Sequence, residues 1–250
     1  MKFSSAFMSW LVVVLFAAGA AAEKKATVDE VLKIIDETLI IAKDQKYTAE
    51  VRVIRDGKTI KSMKFEAILK GLVQKRITFT APGDVKGMAV LTTSDGLMYI
   101  YMPSYKRVRR VASHVRNQGF MGTDFSPEEL AAASLSVGWN AKIISEDAKI
   151  WTLELSPKPG NETGYSKLKV IVSKEHRGVE KIESFDSTGK LVRVQERTNW
   201  KKFGPVQIPT IMAVTDLKTG SRSELHFNDC LVNTGISDDE FSKRALQRGE

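Results

Sequence analysis

The sequence predicts a mainly β, α+β protein: one large curved antiparallel sheet forming an unclosed β-barrel, with a few helices capping the concave face. Three observations carry this expectation. Most of the chain either alternates apolar and polar residues with period two or forms apolar runs of strand length. The dipeptides Asp56-Gly57, Asp95-Gly96, Arg177-Gly178, Thr188-Gly189 and Thr219-Gly220 each separate two runs rich in Val, Ile, Thr, Phe or Tyr, the signature of tight hairpins. Helix-start signatures occur at only three places, too few to cover a large sheet on both sides. Such a sheet has to roll up, because open edges and a bare apolar face invite association.

Taken in order, residues 1–22 read as a secretory signal peptide. Lys2 supplies a positive start, residues 7–18 an apolar stretch, and Ala20-Ala21-Ala22 a small-residue cleavage site before Glu23. That stretch is shorter than a membrane-spanning helix needs, and no later segment approaches about 18 apolar residues. The expectation is an exported chain, cleaved after Ala22 and folding as one domain over 23–250. Residues 27–43 place Val31, Ile34, Ile35, Leu39 and Ala42 on one helical stripe, begun by a capping box of Thr27 and Glu30. Similar starts recur at Ser126-Pro127-Glu128-Glu129 and at Ser237-Asp238-Asp239-Glu240. Thirteen candidate strands fall at 48–55, 59–70, 72–80, 86–93, 97–102, 106–112, 140–146, 149–156, 165–174, 179–186, 190–198, 208–217 and 222–232. No βαβ alternation, repeat or linker interrupts them.

The chain has 250 residues, 42% hydrophobic and 27% charged, which is ordinary globular usage and excludes a disordered, collagenous or polytopic membrane protein. Cys230 is the only cysteine, so an internal disulfide and a cysteine-rich metal cluster are excluded; in strand-like 225–232 it reads as a buried core thiol. His114, His176 and His226 sit in unrelated contexts, none beside a serine or cysteine in a nucleophile motif. There is no phosphate-cradling glycine loop and no helical His/Glu metal spacing, so no catalytic residue, cofactor or metal is expected. Asn161-Glu162-Thr163 matches a glycosylation acceptor only formally. The net charge of +8 is spread along the chain without aromatic stacking platforms, which argues against nucleic acid.

The candidate ligand-binding residues share one phase of their strands: Met63, Phe65, Ile77, Phe79, Met88, Val90, Met98, Ile100, Met102, Trp151, Leu153 and Val170, with Leu155 and Val172. Methionine is flexible and polarizable, so a Met-rich wall suits an acyl chain in a cavity; a filled core gives the same alternation. Lys106, Arg107, Arg109 and Arg110 form the densest basic run. It reads either as a solvated edge strand or as a docking surface for anionic headgroups or an acidic partner. In the polar loop that follows, Gly119 and Gly122 flank Phe120 and Met121, giving either a movable flap over a cavity mouth or a loop tucked into the core.

Leu97-Met98-Tyr99-Ile100-Tyr101-Met102-Pro103, Lys106-Arg107-Val108-Arg109-Arg110, Gly119-Phe120-Met121-Gly122-Thr123-Asp124-Phe125 and Ser126-Pro127-Glu128-Glu129-Leu130 together resemble the outer membrane lipoprotein-sorting protein branch of the Lol carrier superfamily. The resemblance is specific over 97–130 and extends in outline over 27–250. It implies an unclosed antiparallel β-barrel with a helical lid that binds acyl chains of a lipoprotein or lipid in the Gram-negative periplasm, in association with an RND-type inner-membrane exporter. The leading functional expectation is therefore a non-enzymatic periplasmic carrier that hands acyl chains toward the outer membrane and touches anionic membrane surface transiently. A lipid-sensing regulatory module of the same fold is the alternative. An exported hydrolase is a third reading, opposed by the missing nucleophile motif.

Overall fold

The computed structural model describes residues 25–112, 119–126, 135–161 and 163–247. The period-two segments form strands β1 (Asp44–Arg55), β2 (Lys58–Lys70), β3 (Gln74–Ala81), β4 (Ala89–Thr92), β5 (Met98–Met102), β6 (Arg107–Arg110), β7 (Trp139–Glu146), β8 (Ile150–Pro157), β9 (Lys167–Ser173), β10 (Gly178–Phe185), β11 (Leu191–Phe203), β12 (Val206–Asp216) and β13 (Ser221–Val232). They make one antiparallel sheet in the order β6-β5-β4-β3-β2-β1-β13-β12-β11-β10-β9-β8-β7, so β6 and β7 are free edges and the barrel stays unclosed. Two meanders run outward from a central seam, where β1 pairs with β13 from Gln45 opposite Val232 to Ile54 opposite Arg222. At the Asp56-Gly57 turn both residues have positive φ, 49° and 71°, the twist that matches a two-residue hairpin to its strands.

Among the described residues the inner face of the sheet is covered in two places. Helix α1 (Val28–Ile40) begins where the capping box predicts: Glu30 Oε2 accepts from the Thr27 amide at 2.7 Å and Thr27 Oγ1 from the Glu30 amide at 3.3 Å. Its Val31 and Ile35 pack on Trp151, Leu153, Leu155, Leu168, Val170, Val172 and Val179 of β8–β10, beside the single turn α2 (Leu135–Gly138). Residues 119–126, which lie between β6 and β7 in the chain, pack over the central strands as a strap, with Phe125 fully buried among Val51, Met63, Phe79 and Val214. The helix expected from Ser126 and the signal peptide at 1–22 lie outside the described residues.

The C-terminal segment departs from expectation. Its helix start at Ser237 forms, as a 3-10 turn at Asp238–Phe241 followed by α3 (Lys243–Gln247), but it covers the outer face and not the concave one. The reason lies in β4 and β5, which carry apolar residues on both phases. Ala89, Leu91, Tyr99 and Tyr101 face away from the concavity, and Phe241 and Leu246 bury them. Arg76 fixes this cover by pairing with Glu240 at 2.7 Å, and Lys70 by pairing with Asp238 at 2.8 Å.

Buried Asp44 ties the first strand to the end of the last. Its carboxylate accepts from the Thr234 amide (2.7 Å), the Thr234 hydroxyl (2.8 Å), the Gly235 amide (2.9 Å) and the Ile236 amide (3.3 Å). Burial pushes its pKa up, but these donors favour the charged form and together hold it below the usual aspartate value. The stabilisation is therefore present above about pH 4 and lost as pH falls through the depressed native value. Asp44→Ala leaves three amides without their acceptor and should cost about 2–3 kcal/mol in urea unfolding at pH 7. The variant should also lose less stability than the wild type between pH 5 and 3; parallel acid profiles would show that the carboxylate is not the anchor.

Candidate functional site

Between α1 and the centre of the sheet the inner face is not filled by any of the described residues. A cavity of about 670 Å³ opens there, within the usual range of about 300–1,000 Å³ for small-molecule sites. Its apolar wall is built from Tyr47, Phe65, Ile77, Leu168, Ile182, Met212, Leu225 and Phe227. The three-residue turn between β2 and β3 borders it with Leu72 and Val73, both exposed.

Strand β11 reverses the expected phase. Arg193, Gln195 and Arg197 line the cavity, whereas Val192 is buried outside it. Asn199 has φ 55°, a left-handed kink inside an unbroken register in which Thr198 faces Ile211 and Trp200 faces Pro209, and beyond this kink Trp200 lines the cavity. The ring has room there because residue 178 is glycine: a Cβ at that position would lie 2.8 Å from the Trp200 ring. Trp200 stacks on His176 at 4.7 Å, and Gln207 Nε2 lies 2.9 Å from His176 Nδ1. His226 Nε2 lies 2.9 Å from a Glu224 carboxylate oxygen, and His114 lies outside the described residues.

Four cationic side chains reach the cavity wall: Lys75, Lys158, Arg193 and Arg197; among the described residues no carboxylate lines it. Lys158 donates to the Ser136 carbonyl (2.8 Å), Arg193 to the Asp124 carbonyl (2.6 Å) and Arg197 to Gln195 Oε1 (3.1 Å). Lys75 differs. It is 7% exposed, on the inner phase of β3, and its ammonium makes no hydrogen bond or ion pair among the described residues. Burial disfavours its charged form and pushes its pKa down to about 7.

The expected ligand residues share the inner face but separate into three groups. Phe65 and Ile77 line the cavity. Met63, Phe79, Val90 and Met98 are buried around the strap, with Met88 and Ile100 half-buried beside them and Met102 half-buried at the end of β5. Trp151, Leu153 and Val170 lie beneath α1. The polar wall of β11 and Lys75 were not among the sequence candidates, because an inward charged phase is indistinguishable by period from an outward one, and Trp200 falls on the same sequence phase as Val192 and Val194, so the alternation carries no mark of the reversal.

Gly119, Phe120, Met121 and Gly122 belong to the strap, and none of residues 119–125 lines the cavity. Phe120 packs on Phe79 at 6.1 Å between ring centroids, and Lys61 Nζ donates to the Met121 carbonyl at 2.8 Å. Asp124 is the anchor: it accepts from the Ser221 and Ser223 hydroxyls, pairs with Arg55 at 3.5 Å, and its amide donates to Ser223 Oγ at 2.9 Å. Lys106, Arg107, Arg109 and Arg110 are exposed on and beside the edge strand β6. Among the described residues no His, Cys, Asp and Glu cluster is placed to hold a metal ion, and no helix is long and apolar enough to cross a membrane.

A family model described as "Uncharacterized protein" matches residues 71–248, more than half of the chain. No curated protein matches the chain. Among solved structures, an outer membrane lipoprotein-sorting protein domain from Vibrio parahaemolyticus superposes with a TM-score of 0.77 at 25% identity, covering 87% of this chain and 98% of that one. A DUF1329 family protein from Desulfovibrio piger gives 0.79 at 23% identity, covering 89% and 100%. A LolA superfamily protein from Nitrosomonas europaea gives 0.73 at 19% identity, covering 88% and 100%. The chain thus has the lipoprotein-carrier fold.

The unpaired ammonium makes a stability prediction. A lysine whose native pKa is depressed carries its full burial penalty below about pH 7, and the penalty fades as pH rises toward the unfolded value near 10.4. Lys75→Met removes it and should raise stability at pH 6.5 by an amount on the order of 1–3 kcal/mol, less than full burial would give because the cavity is open to solvent. The gap between variant and wild type, read from urea midpoints, should narrow from pH 7 to 10. A gap that stays constant with pH would mean the ammonium is hydrated in the folded protein.

Proposed function

The chain belongs to the family whose model spans its residues 71–248, and from that membership and the cavity we propose that it is an exported carrier that shields acyl chains of a lipoprotein or lipid and hands them toward the outer membrane. The observation that carries this reading is the open apolar concavity itself. Among the described residues nothing covers the inner face of the thirteen-stranded sheet between α1 and the strap, and such a surface is a liability in water unless something transient covers it. The likeness to the Vibrio lipoprotein-sorting domain supports the same conclusion. Transfer of an acyl chain into the cavity is worth roughly 0.8 kcal/mol per buried CH₂, enough to hold a chain in water and still release it to a better acceptor. Export through a cleaved signal peptide places the carrier in the periplasm, and an RND-type exporter is the partner this reading assigns. No step of it requires catalysis.

Two experiments test this. Ile182 lines the cavity and is half-buried, so Ile182→Trp should fill it, lowering affinity for a fluorescent fatty acid at least tenfold while strand circular dichroism stays unchanged. Ile60→Trp, on an exposed hairpin, is the control and should bind normally. Equal loss in both variants, or none in either, would remove the cavity from the mechanism. Docking is tested separately. Lys106, Arg107, Arg109 and Arg110 on the β6 edge create a local positive field, so co-sedimentation with anionic vesicles should exceed that with neutral ones and weaken toward physiological salt, where screening shortens to about 8 Å. Charge-neutral substitution of all four should abolish the difference; if it persists, the basic run serves only to guard the edge.

A further inference from the structure

Resting on the carrier reading and deepening it, we propose that the cargo is an anionic amphiphile, a single acyl chain bearing a carboxylate or phosphate, with its head paired by Lys75 and its tail laid on the apolar wall. Three observations point there. Lys75 is more than nine-tenths buried, lines the cavity, and its ammonium has no partner among the described residues. A charge placed this way is expensive without a counter-charge, and nothing on the described wall supplies one. The other ionisable groups on that wall reinforce the sign: Lys158, Arg193 and Arg197 are cationic, and burial keeps the Tyr47 phenol neutral by raising its pKa.

Position supports the same assignment. Lys75 follows the Gly71–Val73 turn that borders the cavity, and Ile77, two residues further along β3, and Phe65, opposite Phe79 on the neighbouring β2, continue as apolar wall on the same face. A head held by Lys75 therefore sits near the turn and leaves the tail to run toward Leu225 and Met212. Burial has already lowered the lysine pKa to about 7, so a bound anion restores the charge that the empty cavity disfavours. The acyl groups of a lipoprotein, joined as neutral esters and amides, offer no such head. The proposal accordingly selects a free anionic lipid over a lipoprotein.

The test uses the full mature protein and three probes of one chain length, dodecanoate, dodecyl phosphate and dodecanol, titrated below their aggregation thresholds. Wild type should bind at least one of the two anions tenfold or more tighter than dodecanol, and whichever anion leads identifies the head as carboxylate or phosphate. Lys75→Met and Lys75→Gln should bring that anion to within about threefold of dodecanol and leave dodecanol binding unchanged, while Lys75→Arg should keep the preference. Thermal melting of each variant confirms folding. Equal binding of all three probes by wild type, or a preference that survives Lys75→Met, overturns the anionic-head assignment and leaves the carrier reading standing. Binding of none of them overturns both. Displacement of dodecyl phosphate by equimolar inorganic phosphate would make this a simple anion site and also overturn the proposal.

Discussion

The pairing of β1 with β13 is the constraint on which everything else rests. Each of the two meanders is locally consistent, with hairpins set by their own turns, but neither alone makes a concave wall. Joined along Gln45–Ile54 and Arg222–Val232 they become one sheet with β6 and β7 at its two ends. Asp44 and Asn233 lock the end of that seam: Asn233 donates its amide to the Asp44 carbonyl at 2.9 Å and its side chain accepts from the Lys43 amide at 2.8 Å. The cavity, the strap and the outer cover all bear on strands that touch this junction.

From it follows a division of labour between the faces. The inner face has more apolar width than one helix can cover, so α1 takes β8–β10, the strap takes the central strands, and the space between becomes the cavity. Arg193 marks the border, since it lines the cavity and holds the strap by the Asp124 carbonyl. Buried Ser221 and Ser223 do the same from β13, offering hydroxyls to Asp124 where an apolar residue would only have filled space. Polar groups at these positions fix the register of a crossing segment that apolar packing alone would leave free to slide. The outer face needs cover only where β4 and β5 are apolar on both sides, and there the C-terminal segment lies.

How much of this was legible follows from which physical signals are local. The thirteen strands were, because Xaa-Gly turns and alternation each act within a few residues, and the α1 start was, because Thr27 and Glu30 complete each other's hydrogen bonds. The end of β11 was not: Asn-Trp-Lys-Lys-Phe at 199–203 is too polar to read as a strand, yet pairing with Gln207 and Ile208 carries it on. Nor was the outer position of the C-terminal segment, since its own residues say that it has an apolar side but not which sheet face lacks a partner. Phe65 and Ile77 were found for the cavity because they follow the majority phase; Lys75, Arg193 and Arg197 were missed because the rule that charges face water fails where a binding site sits.

The seam also sets the order in which the molecule can come into being. Its partners lie at opposite ends of the chain, so β1 waits as an open, alternating apolar edge until the last strand arrives. Contacts of such long sequence separation make folding slow. For a polypeptide made N-terminus first, the interval between the two strands is a window of vulnerability to aggregation. During that time the apolar inner surface that later packs under α1 and the strap is on offer to any other unfinished protein nearby.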